Sequence, residues 1–353
     1  DNVEILENAV MCDAKKTKTG FSLLVLTDDG TYTTYNCRYA VFATGGIGRV
    51  YEYTTNSAIA TGDGITTAYE LGAEIKNLSY IQFHPTGFNN KHTRETFLIS
   101  ESVRGEGAYL KNCNGERFMQ NYDDRLELAP RDVVSHAIMA EAKKTGSDKF
   151  YLDITHKDPE FVKNRFPMIN EKLLEAGYDM TKDMIPIFPC HHYLMGGINV
   201  DTYARTNVDR LYACGECSHT GVHGNNRLAS NSLLEALVFS RRAAWDINEK
   251  IKSDSGELET YDFKIDNDAP HIPHGIRTEV RDIMQRAYFV IPDKEALPPD
   301  LKEVTKLKNF LCDGNFKIDR DYVEAKSLTT VAYIVLKDAI EKLNAKEKTE
   351  ENK

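Results

Sequence analysis

The sequence predicts a mixed α/β (α+β) fold, with strands through the first two thirds of the chain and helices towards its C-terminal end. Short apolar runs that end in glycines, such as residues 39–48, are typical of buried strands whose carboxyl ends meet a ligand. Longer runs with apolar residues at helical spacing predict helices, and these predominate after about residue 253. The length of 353 residues allows about two domains, or three small ones.

Strands are predicted where apolar residues alternate with polar ones or form short continuous runs. Asp28-Asp29-Gly30 separates two such runs, which predicts the turn of a hairpin. Pro85 is expected to end the strand in which it lies, because proline has no N–H for the ladder. The predicted strands are residues 3–12, 21–38 with its internal turn, 39–48, 80–86, 185–193 and 210–214.

Helices are predicted where apolar residues recur with a period near 3.6. Pro130 is expected in the first turn of its helix, where a missing N–H is no loss. Residues 228–252 are predicted to form one long helix, partly buried near Leu233-Leu234 and at 236–238. The other predicted helices are residues 62–72, 130–139, 158–176, 275–290, 299–311 and 319–345, followed by a frayed charged tail at 346–353.

The charge balance excludes some classes of function. Lys and Arg number 44 against 54 Asp and Glu, which gives a net charge of −10. An acidic total argues against a nucleic-acid partner, because phosphate backbones require a surplus of basic residues. It still allows a local basic pocket for a small anion. No apolar run approaches the ~18 residues of a membrane span, so we expect no membrane partner.

The seven cysteines lie at scattered spacings, which argues against a disulfide framework and favours a reducing, cytoplasmic location. Cys214-Gly-Glu-Cys217 has the spacing of a metal or redox pair. One CxxC without a second ligand pair is weak evidence for zinc, so we favour a simple turn and predict no metal.

Histidines and arginines next to glycines form three clusters that favour binding of carboxylates. Arginine offers a planar bidentate fork and histidine a directed N–H. Two such sets of carboxylate-binding side chains suit a substrate with two carboxylates. The clusters are residues 82–86, residues 100–107 with 129–132, and residues 191–197 with 222–227.

Each member of these clusters also has an ordinary structural interpretation. His84 is a candidate for a purely structural hydrogen bond, and Glu101 with Arg104 for a local ion pair at i,i+3. Arg131 beside Asp132 is explained as a charge pair at a helix start. His191 and His192 suggest a metal, but neighbouring side chains diverge on a strand. Taken singly, each site favours the structural interpretation, and only their joint occurrence favours a binding site.

Nucleotide-binding signals are partial. Neither a complete GxGxxG nor a GxxxxGK[ST] motif occurs in the sequence. The runs Ala43-Thr44-Gly45-Gly46, Gly62-Asp63-Gly64 and 211–216 nevertheless suit a strand layer around a flavin. In that setting Glu216 is placed to hold a ribityl or ribose hydroxyl, and a helix starting near Asn231 would direct its N–H groups at the flavin.

The ordered series of motifs resembles the succinate dehydrogenase/fumarate reductase flavoprotein family, and within it the L-aspartate oxidases. The resemblance runs from about residue 39 to 246 and more loosely through the helical tail. The runs Thr220-Gly221-Val222-His223-Gly224 and 228–235, together with Ala129-Pro130-Arg131-Asp132, favour the aspartate oxidases. The other shared runs are residues 43–46, 53–56, 62–64, 82–86, 101–110, 192–197 and 226–227.

This resemblance implies FAD-dependent oxidation of L-aspartate to iminoaspartate, with O2 or fumarate as electron acceptor. The product would pass to quinolinate synthase in de novo NAD synthesis. The alternative is a soluble fumarate reductase or a succinate dehydrogenase flavoprotein subunit. A third possibility is a non-catalytic chain whose site is a structural or anion-binding relic.

Residue roles follow from the resemblance alone. Arg131 matches the proton-transferring arginine, and Glu101 and Arg104 match its relay. The implied substrate-binding residues are His84, Ser100, His192 and Arg227, with Ser100 in place of the usual threonine. The implied FAD-binding residues are Thr44, Gly45, Gly46, Asp63, Glu216, Asn231, Ser232 and Leu233.

The resemblance also predicts the domain organisation. We expect a partial FAD-binding domain at residues 1–76, a capping domain at 77–190, a return to the FAD-binding domain at 191–252 and a helical domain at 253–353. The chain is expected to be a fragment that lacks the pyrophosphate-binding segment of its family. We therefore predict that it binds little FAD and is inactive by itself.

Overall fold

The computed structural model describes residues 2–90 and 93–351. Strands and helices alternate up to residue 219, and helices predominate after it. The strands are β1 Ala9–Lys16, β2 Phe21–Thr27, β3 Tyr32–Cys37, β4 Ala40–Phe42, β5 Ile75–Lys76, β6 Ile81–Phe88, β7 Tyr109–Lys111, β8 Phe150–Asp153, β9 Ile185–Leu194, β10 Gly197–Asn199, β11 Leu211–Ala213, β12 Ser218–His219, β13 Tyr288–Phe289 and β14 Ile291–Pro292. The helices are α1 Asp63–Glu70, α2 Glu101–Gly105, α3 Arg131–Thr145, α4 Pro159–Arg165, α5 Pro167–Glu175, α6 Asn231–Ile251, α7 Ile276–Ala287, α8 Leu297–Asp313 and α9 Arg320–Glu351. The predicted mixed fold with a helical end is confirmed.

The first three strands form an antiparallel meander in the order β1-β2-β3. The turn predicted at residues 28–30 joins β2 to β3, and Gly30 has the positive φ of 81° that such a turn requires. The first strand begins at Ala9 rather than at residue 3, because the apolar side chains before it, such as Val3 and Ile5, are exposed.

Two small sheets carry the glycine-rich loops. β4 pairs in parallel with β11, so the run 43–46 and the run 214–216 leave the same edge. β10 pairs in parallel with β12 and antiparallel with β5. The carboxyl ends of β4 and β11 therefore bring the two predicted flavin-contacting runs side by side.

A four-stranded sheet in the order β6-β9-β8-β7 forms the second part of the molecule, and α3 packs against β6. β6 does not end at Pro85 but continues to Phe88. The ladder with β9 shifts its register between His84 and Gly87, so Pro85 lies in an irregularity where no N–H is needed.

Two predicted helices differ in the structure because of proline. Residues 158–176 form α4 and α5 instead of one helix, since Pro167 cannot continue the hydrogen-bond ladder of α4. α8 begins at Leu297, two residues earlier than predicted, because Pro298 and Pro299 are accepted in a first helical turn.

The expected burial of α6 is wrong. Leu233, Leu234 and Leu237 are 63–70% exposed, and the buried side chains of this helix include Phe239 and Ala243. An apolar run shows which side chains favour burial but not which side of a helix has a partner. α6 therefore presents exposed leucines beside the predicted cofactor site.

The helices α7, α8 and α9 pack together, and the end of α9 is helical up to Glu351 rather than frayed from residue 346. The predicted tail at residues 352–353 lies outside the described residues.

One cluster of buried side chains extends from Phe21 through Ile198 to Ala339, and a second extends from Phe88 to Ile187. The domain boundaries stay a prediction. Within the described part of the chain, no helix combines the length and apolar character needed to cross a bilayer.

Candidate active site

The paired strands β6 and β9 place three histidines at the centre of the site. The rings of His84 and His192 lie edge to face with their centroids 5.2 Å apart. His191 points the other way and stacks on the ring of Tyr51 at 5.5 Å. The two neighbouring histidines diverge as expected for a strand, so they do not form a joint metal site.

His84 has a buried donor with no partner. The side chain is fully buried, and the backbone N–H of Thr86 donates to its Nδ1 at 3.3 Å. The ring proton therefore lies on Nε2, which makes no hydrogen bond with any described residue. Burial and the nearby guanidinium charge of Arg131 hold the pKa of His84 well below its ordinary value. This enclosed neutral N–H donor is available to a ligand acceptor, and His84 itself does not line the cavity described below.

Gln82 links the two arginines of the site. Its Oε1 accepts hydrogen bonds from Arg131 at 3.2 Å and from Arg227 at 3.3 Å. Its Nε2 donates to Asn226 Oδ1 at 3.0 Å and to the Arg227 carbonyl at 2.8 Å. The amide thus positions two guanidiniums side by side without neutralising either of them.

Arg131 begins a chain of charged groups. Its Nε donates to Glu101 Oε2 at 2.8 Å, and Arg104 Nη2 lies 3.2 Å from Glu101 Oε1. Arg104 is 1% exposed and donates to the carbonyls of Glu127 and Ala129. The structure therefore brings the three predicted catalytic residues together in the order Arg131, Glu101, Arg104.

Arg227 and His192 face the same space. The Arg227 guanidinium lies 4.1 Å from the centre of the Tyr193 ring and donates to Ser232 Oγ at 3.3 Å. Burial and the neighbouring Arg131 lower its pKa, while its Nε has no partner among the described residues. Burial together with Arg131 and Arg227 lowers the pKa of His192 to about 3, so this ring is neutral near pH 7.

Ser100 lies close to these groups but is occupied as a helix cap. Its Oγ accepts a hydrogen bond from the Ser102 N–H at 3.3 Å at the start of α2. The backbone N–H of its neighbour Ile99 donates to the carbonyl of Thr86, which is two residues after His84. The substrate contact predicted for Ser100 stays a prediction.

One cavity of about 760 Å³ joins predicted substrate and cofactor residues. Its walls include His192 and Arg227 from the first group and Glu216, Ser232 and Leu233 from the second. Loop residues 93–98, apart from Arg94, cover another side. Arg131 is not in the wall of this cavity. It is connected to the wall because it donates to the same Gln82 oxygen as Arg227, which does line the cavity.

Several residues of the site were missed by sequence reasoning. Gln82 belongs to the motif 82–86, but a neutral amide gives no signal of its central position. Glu235 accepts hydrogen bonds from Tyr193 at 3.3 Å and from Thr220, and lies 2.7 Å from His223 Nε2. Thr55 Oγ1 lies 2.8 Å from His192 Nδ1 and fixes that ring. The motifs of the resemblance contain Gln82, Glu235 and Thr55, so these three positions could have been found from the motifs.

The CxxC motif forms a turn. Cys217 is fully buried, and its thiol donates to the carbonyls of Phe42 and Cys214 at 3.2 and 3.3 Å. Burial raises the pKa of the Cys214 thiol to about 11. Among the residues that the structure describes, no group of three or more His, Cys, Asp or Glu side chains is arranged to hold a metal ion.

The comparison with protein families decides the class of this site. The family described as "FAD binding domain" matches residues 3–233, which is well over half of the chain. The chain belongs to this FAD-binding family. The match indicates FAD as the cofactor and confirms the predicted flavoprotein resemblance.

Curated relatives of this FAD-binding chain are L-aspartate oxidases. The protein from Yersinia pestis is 43% identical over 316 residues, which cover 88% of this chain and 59% of that protein. The protein from Clostridium perfringens is 50% identical over 251 residues, which cover 71% of this chain and 56% of that protein. The chain thus spans less than two thirds of the length of these relatives.

A solved structure of E. coli quinol fumarate reductase FrdA superposes with a TM-score of 0.82 at 29% identity. The alignment covers 94% of this chain and 63% of that one. A Mycobacterium smegmatis Sdh1 complex gives a TM-score of 0.77. Both likenesses confirm the predicted fold class.

The residues at the ends of β4 and β11 fit the FAD of this family. A Cβ on Gly46 would lie 2.1 Å from Glu216 Oε1, and a Cβ on Gly64 would lie 2.1 Å from Thr44 Oγ1. Gly45 has a φ of 74° and open space around the position of a Cβ. Asp63 begins α1 next to this loop and accepts from Thr61. Gly46 and Gly64 thus make room for the Glu216 and Thr44 side chains, while Gly45 faces open space, and hydroxyl and carboxyl groups in this position suit a ribityl chain.

Glu216 and the start of α6 complete this surface. Glu216 Oε1 accepts the Leu194 N–H at 3.0 Å, and burial raises the pKa of this carboxyl to about 7. α6 begins at Asn231 after Ser230 with a φ of 68°, and no side chain caps it. The N–H groups of Asn231 and Leu233 donate to the carbonyls of Leu228 and Ser230, so it is mainly the dipole of the helix that favours an electron-rich ligand edge here. The donor set fits a flavin, and the contact of each residue with FAD stays a prediction.

Proposed function

We propose that this chain carries the substrate-binding and proton-transferring residues of an FAD-dependent L-aspartate oxidase. The observation that carries the proposal is the pair of guanidiniums, Arg131 and Arg227, joined by Gln82 beside the unpaired donor of His84. Conversion of L-aspartate to iminoaspartate removes a hydride from Cα and a proton from the amino group. FAD supplies a two-electron acceptor when it is bound.

Binding of a four-carbon dicarboxylate is supported by the distribution of donors. Arg227 and the neutral His192 lie on one side of the cavity and suit one carboxylate. The free Nε2–H of His84 suits the other carboxylate. Gln82 holds the two arginines in place, so their orientation is set before the substrate enters.

Proton transfer is assigned to the chain of Arg131, Glu101 and Arg104. Arg131 Nε donates to Glu101 at 2.8 Å, so Glu101 can take the Nε proton while Arg131 accepts the proton that leaves the substrate amino group, which gives that proton a route away from the site. Arg104 lies on the far side of the same carboxylate, with its Nη2 3.2 Å from Glu101 Oε1. We assign fumarate or O2 as the electron acceptor and quinolinate synthase as the enzyme that uses the product.

The proposal is tested by Arg131→Leu in the complete protein, with L-aspartate-dependent bleaching of the flavin as the measurement. We expect reduction of the flavin to be lost while dicarboxylate binding persists. Turnover equal to that of the wild type would overturn the role of Arg131. Arg125→Gln is the matched control, because Arg125 pairs with Asp123 at 2.9 Å outside the site.

A second candidate is a fumarate reductase or succinate dehydrogenase flavoprotein subunit, which the likeness to the E. coli and M. smegmatis structures supports. Initial rates with aspartate, succinate and fumarate separate the two functions. Aspartate oxidation at least about ten times faster than succinate oxidation supports the first, and the reverse order supports the second.

A further inference from the structure

A second cavity, of about 300 Å³, lies apart from the candidate active site and is lined by four arginines. The two cavities have no lining residue in common. Arg49 comes from the loop after β4, Arg94 from the segment after β6, and Arg277 and Arg281 from α7. Three separate parts of the chain thus direct cations into one space.

The acidic groups around this cavity are fewer than the basic ones. Arg277 pairs with Asp321 at 3.0 Å and with Glu324. These two carboxylates are the acidic side chains that line the cavity. Among the described residues, no carboxylate lies within ion-pair distance of Arg49, Arg94 or Arg281. The lining therefore carries an excess of two positive charges.

Arg281 is the buried member of the cluster. It is 7% exposed, and its Nε donates to the Arg49 carbonyl at 2.9 Å. Its two terminal nitrogens make no hydrogen bond with any described residue. Burial and the charges of Arg94, Arg49 and Arg277 lower its pKa to about 10, so it is still charged at neutral pH. A buried guanidinium whose charged neighbours are mainly cations is stabilised by an anion.

The start of α7 adds backbone donors to the same wall. This helix has twelve residues, and Gly275, with a φ of 96°, precedes it. No side chain caps the helix, and Gly275 through Thr278 line the cavity. The Thr278 N–H donates to the Gly275 carbonyl, but the N–H groups that precede it at the helix start favour oxyanions and add to the guanidiniums here.

We propose that this cavity binds a phosphate dianion, either free phosphate or the terminal phosphomonoester of a small metabolite. A dianion matches the excess of two positive charges, and tetrahedral oxygens suit both guanidinium forks and helix N–H groups. The inference does not depend on the proposed activity.

The cavity is connected to the candidate active site through one segment. Arg94 faces the phosphate cavity, while its neighbours Thr93 and Glu95 line the cavity that contains His192. The segment is fixed by its backbone, because the Thr54 N–H donates to the Arg94 carbonyl at 3.2 Å. Phosphate bound to Arg94 therefore stabilises one side of the larger cavity.

The test is isothermal titration of the chain with inorganic phosphate at constant ionic strength, with chloride as the reference anion. We expect saturable binding of phosphate and none of chloride. Arg94→Gln and Arg281→Gln should each weaken binding at least about tenfold. Arg94 is exposed, so its variant is expected to fold even if removal of the buried Arg281 disturbs the structure. Circular dichroism confirms folding of each variant.

Arg125→Gln serves as the control, because Arg125 is exposed and does not line the cavity. It should bind phosphate like the wild type. A second titration with glycerol 3-phosphate distinguishes the sources: tighter binding than of phosphate assigns a phosphomonoester, and weaker binding assigns the free ion. The proposal is overturned if phosphate does not bind, or if the folded Arg94→Gln variant binds it with unchanged affinity.

Discussion

The guanidinium of Arg131 is tied to the carboxylate of Glu101 by a hydrogen bond of 2.8 Å between Nε and Oε2. Arg131 is the first residue of α3, and Glu101 is the first residue of the short helix α2. The bond therefore connects the starts of two helices. It leaves Nη1 of Arg131 to donate to Gln82 Oε1 at 3.2 Å.

The contact predicts a specific effect of Glu101→Gln in the complete protein. The amide cannot accept the proton that the carboxylate accepts, so we expect the turnover rate to fall by about 10²-fold with a small change in KM. Steady-state rates with aspartate measure this. Glu106→Gln is the control, because Glu106 pairs with Arg165 at the surface. Equal losses in the two variants would exclude the relay.

Because Gln82 lies between two arginines, one substitution should mainly lower stability and another should mainly weaken ligand binding. Gln82→Leu removes the shared acceptor and leaves buried donors unpaired, at a cost of about 1–3 kcal/mol in unfolding free energy. Gln82→Glu should keep the fold but place a carboxylate between Arg131 and Arg227, where it competes with the substrate. We expect the affinity for succinate, measured by calorimetry, to fall more in Gln82→Glu than in Gln82→Leu. Stronger binding in that variant would contradict the assignment.

The pKa of Glu216 predicts a pH dependence of stability. Burial raises this pKa from an ordinary 4.5 to about 7, so the folded chain holds the proton more tightly than the unfolded chain. Its stabilising contribution is complete below pH 4.5 and is lost as the pH rises through 7. Glu216→Gln should abolish that loss, and the gap between the two pKa values sets an upper bound of about 3 kcal/mol.

Urea unfolding at pH 4.5 and pH 8 measures this difference. The control is Glu249→Gln, whose exposed carboxyl pairs with Lys252 at 2.7 Å. The control should follow the wild type at both pH values. A Glu216→Gln variant with the same pH dependence as the wild type would show that the carboxyl titrates normally.

The exposed leucines of α6 predict that solubility and stability respond separately to substitution. Leu237 is 70% exposed, so Leu237→Gln should change the unfolding free energy by less than about 0.5 kcal/mol and reduce self-association. Phe239→Ala, two residues away but 7% exposed, should cost about 3 kcal/mol or more. Urea unfolding and light scattering of the 353-residue chain test both. A large loss of stability in Leu237→Gln would disprove the exposed orientation.

Much of this arrangement follows from local sequence, and the exceptions have physical reasons. Glycines after β4 and the alternation of His191 and His192 on β9 are properties of short segments, so the sequence predicts them. Pro85 was expected to end β6, but the register shift of the ladder accommodates it. The exposure of Leu234 and the central position of Gln82 depend on distant partners, which periodicity and charge do not report.

The contact between Gly46 and Glu216 links the natural variation of two positions 170 residues apart in the sequence. A methyl group at residue 46 would fill the place of the Glu216 carboxylate, at 2.1 Å from its oxygen. Position 46 therefore accepts a side chain only if the Glu216 carboxylate moves away or residue 216 is shorter. Homologous chains with a side chain at position 46 should carry a shorter residue at 216, and a library that randomises position 46 alone should be enriched in glycine.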